Sequence, residues 1–204
     1  ESLKEVVFGN SLTTVGNYAF YGCSSLKTLV LNEGLKQIGT SAFLDCNSIE
    51  TLVLPSTVTD IGNYAFRGCS SLSGITLSLS VTTLGNHVFY GCNTLTIYCE
   101  SKAAGENWGA RWNSGYRPVV YGCVLSSDKS FVQAVEKSAV ENYRLVDGEP
   151  VNTVTAPVRR GYEFVGWTTT AGVTTAEYAA ENFCDAPDGT TLYAVWQEKP
   201  EPQP

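Results

Sequence analysis

The stretch that decides the fold runs from Val15 to Cys99 and writes one pattern four times. The copies read VGNYAFYGCSSLKTLVL from Val15, IGTSAFLDCNSIETLVL from Ile38, IGNYAFRGCSSLSGITL from Ile61 and LGNHVFYGCNTLTIYC from Leu84, so each begins 23 residues after the last. A fixed period of this length predicts a solenoid, in which each unit buries its apolar face only against its neighbours.

Each unit divides into a strand half and a turn half. In SLKTLVL, alternation predicts that Leu29 and Leu31 point into the core while Thr28 and Val30 point outward. The other half, GNYAFYGC, is too short for a regular helix and indicates tight turns or one helical turn. Its apolar pairs are predicted to stack inside the solenoid, and they are Ala19/Phe20, Ala42/Phe43, Ala65/Phe66 and Val88/Phe89.

Four cysteines recur at the same place in the units. A metal or redox site is one interpretation, but metal sites draw ligands from converging loops with short mixed spacings. The alternative is a small apolar side chain packed in the spine of the solenoid. We favour packing for this cysteine ladder, which comprises Cys23, Cys46, Cys69 and Cys92.

The repeated pattern [VIL]-G-x-x-[AV]-F-x-x-C-x-[ST]-[LI], followed by L-x-L, resembles the BspA-type leucine-rich repeat over residues 1–99. This family occurs on the surfaces of host-associated bacteria and some protists. The resemblance implies a right-handed, curved α/β solenoid with a parallel sheet on its concave face. It also implies a secreted or surface-displayed protein.

The chain starts in the middle of a unit. Leu3 and Val6 precede Leu26 and Leu29 by one period, so ESLKEVVF is a strand half without its turn half. We expect further repeats upstream in the parent protein. An uncapped solenoid end leaves apolar surface in water, which predicts end-to-end dimerisation through this repeat.

The segment after the last repeat, residues 100–123, is rich in aromatic residues. Trp108 and Trp112 are four apart, so one helical turn would place them on one face. One interpretation is a sugar-stacking platform, formed together with Tyr98, Tyr116 and Tyr121. We favour a C-terminal cap, which solenoids need and which also follows BspA-type repeats; PVVY would add an edge strand. A bond between the flanking Cys99 and Cys123 is left open.

Residues 124–197 lack the repeat and predict a second domain, called the module below. SFVQAVEK and TLYAVW are typical of strands, and TTAEYAAENF is compatible with a helix. The stretches APVRRGYEFVGWTTTAG and PDGTTLYAVW resemble the internalin-type B-repeat, or Listeria–Bacteroides repeat. That resemblance implies a small α+β, β-grasp-like domain with Trp167 and Trp196 in its core. The Pro-rich tail, 198–204, is predicted to be an extended linker.

Composition excludes several classes of function. The chain carries a net charge of −7 without a Lys/Arg cluster, which disfavours nucleic-acid binding. No apolar run is long enough for membrane insertion. His87 is the only histidine and occupies a repeat position predicted to be exposed. Asp188 lies in a Pro-Asp-Gly turn that explains it without a cation shared with Asp185. We therefore predict no catalytic residue, metal site or cofactor.

The residues favour a non-enzymatic surface protein that binds through its concave face. The partner would be a host or bacterial surface protein or a glycan, because the outward-facing side chains are almost uncharged and β-branched. The alternative is a structural stalk that spaces other domains. The residues predicted to bind, called the outward row below, are Thr28, Val30, Thr51, Val53, Thr76 and Tyr98.

Overall fold

A computed structural model describes residues 2–127, 131–136, 140–141, 145–146, 149–150, 155–179, 186–187 and 189–200. These residues form short strands and turns, and none of them lies in a helix. In chain order the strands are β1 (Glu5–Val7), β2 (Thr14–Val15), β3 (Thr28–Val30), β4 (Gln37–Ile38), β5 (Asp60–Ile61), β6 (Gly74–Leu77), β7 (Thr83–Leu84), β8 (Thr96–Cys99), β9 (Asn107–Trp108), β10 (Val119–Val120), β11 (Val124–Leu125), β12 (Val132–Glu136), β13 (Val140–Glu141), β14 (Leu145–Val146), β15 (Glu149–Pro150), β16 (Tyr162–Thr168) and β17 (Thr191–Glu198).

The strand halves of the repeats form the predicted parallel sheet, called the front sheet below. Strand β1 pairs in parallel with β3, and β6, β8 and β10 pair in parallel in that order. In the unit between these two groups, a single parallel bridge pairs Thr51 with Gly74 of β6. The stacked coils therefore form a β-solenoid, as the repeat predicts. The expected helical component of an α/β solenoid is absent from the described residues.

A second parallel sheet, the back sheet, runs along the solenoid and was not predicted. Its five two-residue strands stack in the order β2, β4, β5, β7, β9. Each of these strands is followed directly by the glycine that recurs in every repeat. At Gly85 an added Cβ would lie 2.4 Å from the backbone nitrogen of Asn63, so neighbouring turns approach too closely for a side chain. The Asn63 side-chain oxygen accepts a hydrogen bond from the Asn86 backbone N–H at 2.7 Å, which fixes the turns in register.

The interior phenylalanine ladder is confirmed. The Phe20 and Phe43 rings stack with centroids 5.3 Å apart, Phe43 and Phe66 are 5.5 Å apart, and Phe66 and Phe89 are 6.1 Å apart, all within 5° of parallel. The last three are fully buried, whereas Phe20 is only partly buried at the open end. Ala19, expected inside, is exposed for the same reason.

The cysteine ladder packs beside the phenylalanines and ties successive units together. The Cys46 thiol donates to the Phe20 carbonyl at 3.1 Å, and the Cys92 thiol donates to the Phe66 carbonyl at 3.1 Å. Burial raises the pKa of Cys46 and of Cys92 to about 12. Such thiols stay protonated and act as small core side chains, which supports the packing interpretation. No disulfide joins any two of the six described cysteines, so Cys99 and Cys123 are not bonded to each other.

The aromatic segment after the repeats closes the solenoid, although not as a helical turn. Trp108 lies in the last strand of the back sheet, and Trp112 lies in the turn that follows. The Trp112 ring meets Phe89 edge-on at 6.5 Å and Trp108 at 4.9 Å, so it ends the phenylalanine ladder. With Tyr98 and Tyr121 also buried, the five aromatic residues do not form an exposed sugar platform.

The module contains a four-stranded antiparallel sheet in the order β11, β12, β17, β16. Trp167 is fully buried in its core, as expected, while Trp196 is half-buried. Residues 174–179, expected to begin a helix, form bends and a bridge from Tyr178 to Trp167. The rest of that expected helix, Asp185, Asp188 and tail residues 201–204 lie outside the described residues. Glu198, which was expected to begin the linker, is the last residue of β17, so the strand extends one residue beyond the predicted end of the module.

Truncating the ladder should destabilise the solenoid according to position. We expect Phe43→Ala to lower the free energy of unfolding by about 3–5 kcal/mol, because it leaves a cavity among fully buried neighbours. Phe20→Ala, at the partly buried end, should cost clearly less. Urea denaturation followed by circular dichroism gives both values; equal losses would contradict a cooperative interior stack.

Thiol reactivity should follow burial. At pH 9 a cysteine of ordinary pKa is about three-quarters ionised, whereas Cys46 and Cys92 remain protonated because their pKa lies near 12. We expect iodoacetamide to label Cys23, which is only partly buried, well before Cys46, Cys69 and Cys92. Peptide mapping by mass spectrometry with and without urea measures this. Rapid native labelling of the three buried thiols would contradict the packing role.

Candidate binding cleft

The outward row divides into a covered part and an accessible part. Thr76 and Tyr98 are buried, with 5% and 0% of their surface exposed. The other four members are exposed or half-buried. The row is therefore not one continuous open face, and Thr76 and Tyr98 are inaccessible to a partner in this arrangement. The cover comes from a segment that the sequence did not place here, residues 155–158 of the module.

Thr155 anchors that segment to the front sheet through three hydrogen bonds. Its backbone N–H donates to the hydroxyl of Thr96 at 2.8 Å. Its hydroxyl donates to the Ser73 carbonyl, and its carbonyl accepts from the Tyr98 hydroxyl. Both polar groups of the Thr155 backbone are thereby satisfied by the solenoid, so this contact is specific rather than a loose apposition.

A glycine in the third full unit makes room for the segment. Gly74 stands where the other units have Thr28 and Thr51. An added Cβ at Gly74 would lie 3.0 Å from the Val158 side chain and 3.2 Å from the Ala156 carbonyl oxygen. The departure of this one unit from the pattern is the signal, available in the sequence, that another part of the chain crosses the sheet here.

The solenoid and the module share a core as well as a surface. Tyr98, a residue of strand β8, is fully buried among the apolar side chains of the module, in a cluster that includes Val132 and Trp167. Strand β13 of the module also pairs antiparallel with β10, with Val120 opposite Val140, and so extends the front sheet. The two parts are consequently joined by packing and by strand pairing.

Between the module and the front sheet a cleft of about 660 Å³ remains open. Its floor consists of the accessible part of the outward row, namely Thr28, Val30, Thr51 and Val53. Its wall consists of module residues 156–164 together with Trp196. These four residues are among those predicted from the sequence to bind, and that role stays a prediction. The wall consists of module residues that the sequence did not place here.

The wall is held rigid by ring contacts around one arginine. The Arg159 guanidinium lies 3.6 Å from the centroid of the Tyr162 ring and 4.1 Å from that of Phe131. Phe164 and Trp196 pack edge-on with centroids 5.3 Å apart. Cation–π contacts of this kind fix a guanidinium without neutralising its charge. The cleft thus combines a β-branched floor with an ordered aromatic and basic wall.

His87 lies on a different surface and is half-buried rather than exposed as predicted. Its ring stacks on Tyr64 at 5.3 Å, and its Nδ1 lies 2.8 Å from the Ser114 hydroxyl oxygen. No described carboxylate hydrogen-bonds to His87, so the pair lacks the third group that orients the base in a nucleophilic triad. The described residues also contain no grouping of three or more His, Cys, Asp or Glu side chains placed for a metal ion.

Comparison with known families follows the same division. Residues 1–105 match the BspA type leucine rich repeat region as six copies, which covers half of the chain. The chain belongs to the BspA-type leucine-rich repeat family. Residues 131–195 match the Listeria–Bacteroides repeat domain. Both resemblances stated from the sequence are therefore confirmed: the repeats to the BspA-type family and the module to the Listeria–Bacteroides repeat.

Two solved structures are similar to about half of this BspA-type protein. A leucine-rich repeat protein from Bacteroides ovatus is 41% identical over 47% of this chain and 25% of its own, with a TM-score of 0.45. A T. pallidum leucine-rich repeat protein is 26% identical over 48% of this chain and 59% of its own, with a TM-score of 0.42. This chain thus spans a quarter and somewhat over half of their lengths. No curated protein matches it significantly.

BspA-type leucine-rich repeats are a family of bacterial surface proteins. Family membership indicates a role in protein binding or a structural role for this chain. Among the described residues there is no helix that is long and apolar enough to cross a membrane.

Restoring the repeat threonine at Gly74 should loosen the module. We expect Gly74→Thr to displace residues 155–158, because its side chain would occupy the space of Val158 and the Ala156 carbonyl. Hydrogen–deuterium exchange should then rise at Thr155 and at strand β10. Gly9→Ala is the matched control, since no atom lies within 4 Å of a Cβ there. Unchanged exchange in Gly74→Thr would show that the segment does not rest on this position.

Proposed function

We propose that this chain is a binding part of a secreted or surface-displayed bacterial protein, and that the cleft between the front sheet and the module is its binding site. The ligand class is a protein segment or a glycan of a host or bacterial surface. The observation that carries the proposal is the cleft of about 660 Å³ over Val30 and Val53, which are apolar side chains left accessible beside an ordered wall.

The shape of the site supports binding. Ligand sites are usually concave, enclose about 300–1,000 Å³ and lie preferentially at interfaces between domains. The cleft meets all three conditions, because one side belongs to the repeats and the other to the module. Both parts contribute to the site, because residues of the repeats line one side and residues of the module line the other.

We also propose that the chain performs no catalysis. Its one histidine pairs with Ser114 without an orienting carboxylate among the described residues. The buried thiols of the cysteine ladder are held protonated and are poor nucleophiles.

A structural spacer is the second candidate function. The shared core around Tyr98 and the pairing of β10 with β13 support it, because they join the solenoid and the module by side-chain packing and by strand pairing. Two further features of the fold are proposed only because the family resemblance implies them. They are a right-handed curvature with a concave front sheet and a helix across the sheet of a β-grasp module. End-to-end pairing through exposed Leu3 and Val7 likewise stays a prediction.

Filling the cleft tests the binding function. We expect the chain to bind at least one ligand of a glycan array or of an array of extracellular-matrix proteins. Val53→Trp should weaken that binding by about tenfold or more, because the indole occupies the floor without changing charge. Surface plasmon resonance with the ligand so found measures the affinity.

The matched control is Leu79→Trp, an equally apolar change at a residue that is 67% exposed and outside the cleft. Circular dichroism must show both variants folded. Undiminished binding by Val53→Trp would place the site elsewhere, and absence of binding to both arrays would favour the spacer function.

A further inference from the structure

The cleft has a charge opposite to that of the chain. Four cations line it, Lys27, Arg159, Arg160 and Lys199, against two carboxylates, Glu33 and Glu163. Four minus two leaves a net charge of +2 in the cleft, although the whole chain carries −7. A local excess of this sign in an acidic protein selects for anionic ligands.

None of these four cations forms an ion pair with a described residue, and one of the two carboxylates is already engaged. Glu33 accepts hydrogen bonds from the Ser56 hydroxyl at 3.1 Å and from the Ser56 backbone N–H at 3.4 Å. Arg159 is oriented by the faces of Tyr162 and Phe131, which leave its N–H groups without a carboxylate partner. The cleft therefore presents fixed positive charge to a ligand.

The floor favours an oligosaccharide over a peptide strand or a folded protein. The main-chain groups on one edge of β3 pair with β1, which closes that edge to strand addition by an entering peptide. A folded partner needs a contact of about 800 Å² per side, whereas the cleft is a concavity of a size that suits a small ligand. Exposed threonine hydroxyls at 28 and 51 can pair with sugar hydroxyls, and Val30 and Val53 can pack on the apolar face of a pyranose ring.

We propose that the cleft binds an acidic oligosaccharide whose sugar rings carry carboxylates, that is, a short oligo-uronate. This inference rests on the proposed function and adds the ligand class. The planar fork of Arg160 matches a carboxylate in bidentate geometry. A net charge of only +2 suits one or two carboxylates rather than a densely sulfated chain.

The test uses tetrasaccharides of galacturonate, mannuronate and glucuronate-containing hyaluronan with the whole chain in isothermal titration calorimetry. We expect binding of at least one of them and about tenfold or greater loss when its carboxylates are methyl-esterified, because the ester keeps the sugar but removes the charge. Raising the salt from about 0.05 to about 0.5 M should weaken binding severalfold. Failure of all three to bind, or equal binding of the ester, overturns the inference and leaves the proposed function standing.

Variants separate the charge from the site. We expect the double variant Lys27→Glu, Arg160→Glu to lose about tenfold or more in affinity, whereas Lys4→Glu, Lys102→Glu makes the same change of charge at exposed residues outside the cleft and should lose little. Equal losses in the two doubles overturn the inference, as does equal binding of dextran sulfate or of poly-glutamate. If Val53→Trp and the cleft double both leave oligo-uronate binding intact, the ligand binds outside the cleft and the proposed site itself fails.

Discussion

The structure depends on the stacking of one buried phenylalanine per repeat upon the next. The ring centroids of neighbouring units are 5.3–6.1 Å apart, and each buried thiol of the cysteine ladder donates to the phenylalanine carbonyl of the preceding unit. The units differ mainly in the side chains that they place on the outer faces of the front and back sheets. Since the units are nearly identical inside, a single outward change such as threonine to Gly74 is enough to give one unit a different role.

That change connects the core to the binding hypothesis. Gly74 admits residues 155–158 onto the front sheet, and Tyr98 of the following unit enters the core of the module. The module thereby covers the end of the outward row and leaves the earlier part open as the floor of a cleft. The cleft acquires its aromatic and basic wall from the module and its apolar floor from the repeats. Family membership alone leaves binding and structural roles open. A cleft built from both the repeats and the module favours binding.

The sequence predicted those features that depend on a pattern repeated many times. The solenoid, the phenylalanine and cysteine ladders, and the outward direction of Thr28 and Val30 all follow from the 23-residue period. The back sheet was not predicted, because strands of two residues, such as Thr14–Val15, are too short to show an alternation of apolar and polar side chains. The helical turn expected for Trp108 and Trp112 was wrong because neighbouring strands recruited Trp108 into the back sheet. Burial of Tyr98 was unpredictable, since its cover comes from a residue 57 positions away.

The central claim is that the module is held in one position on the front sheet, because the cleft exists only in that arrangement. Its most direct test is the distance between spin labels at the exposed residues Glu50 of the solenoid and Thr170 of the module, measured by double electron–electron resonance in the whole chain. The account predicts a single narrow distance distribution. A broad distribution, as for a module tethered by a flexible chain, would contradict it.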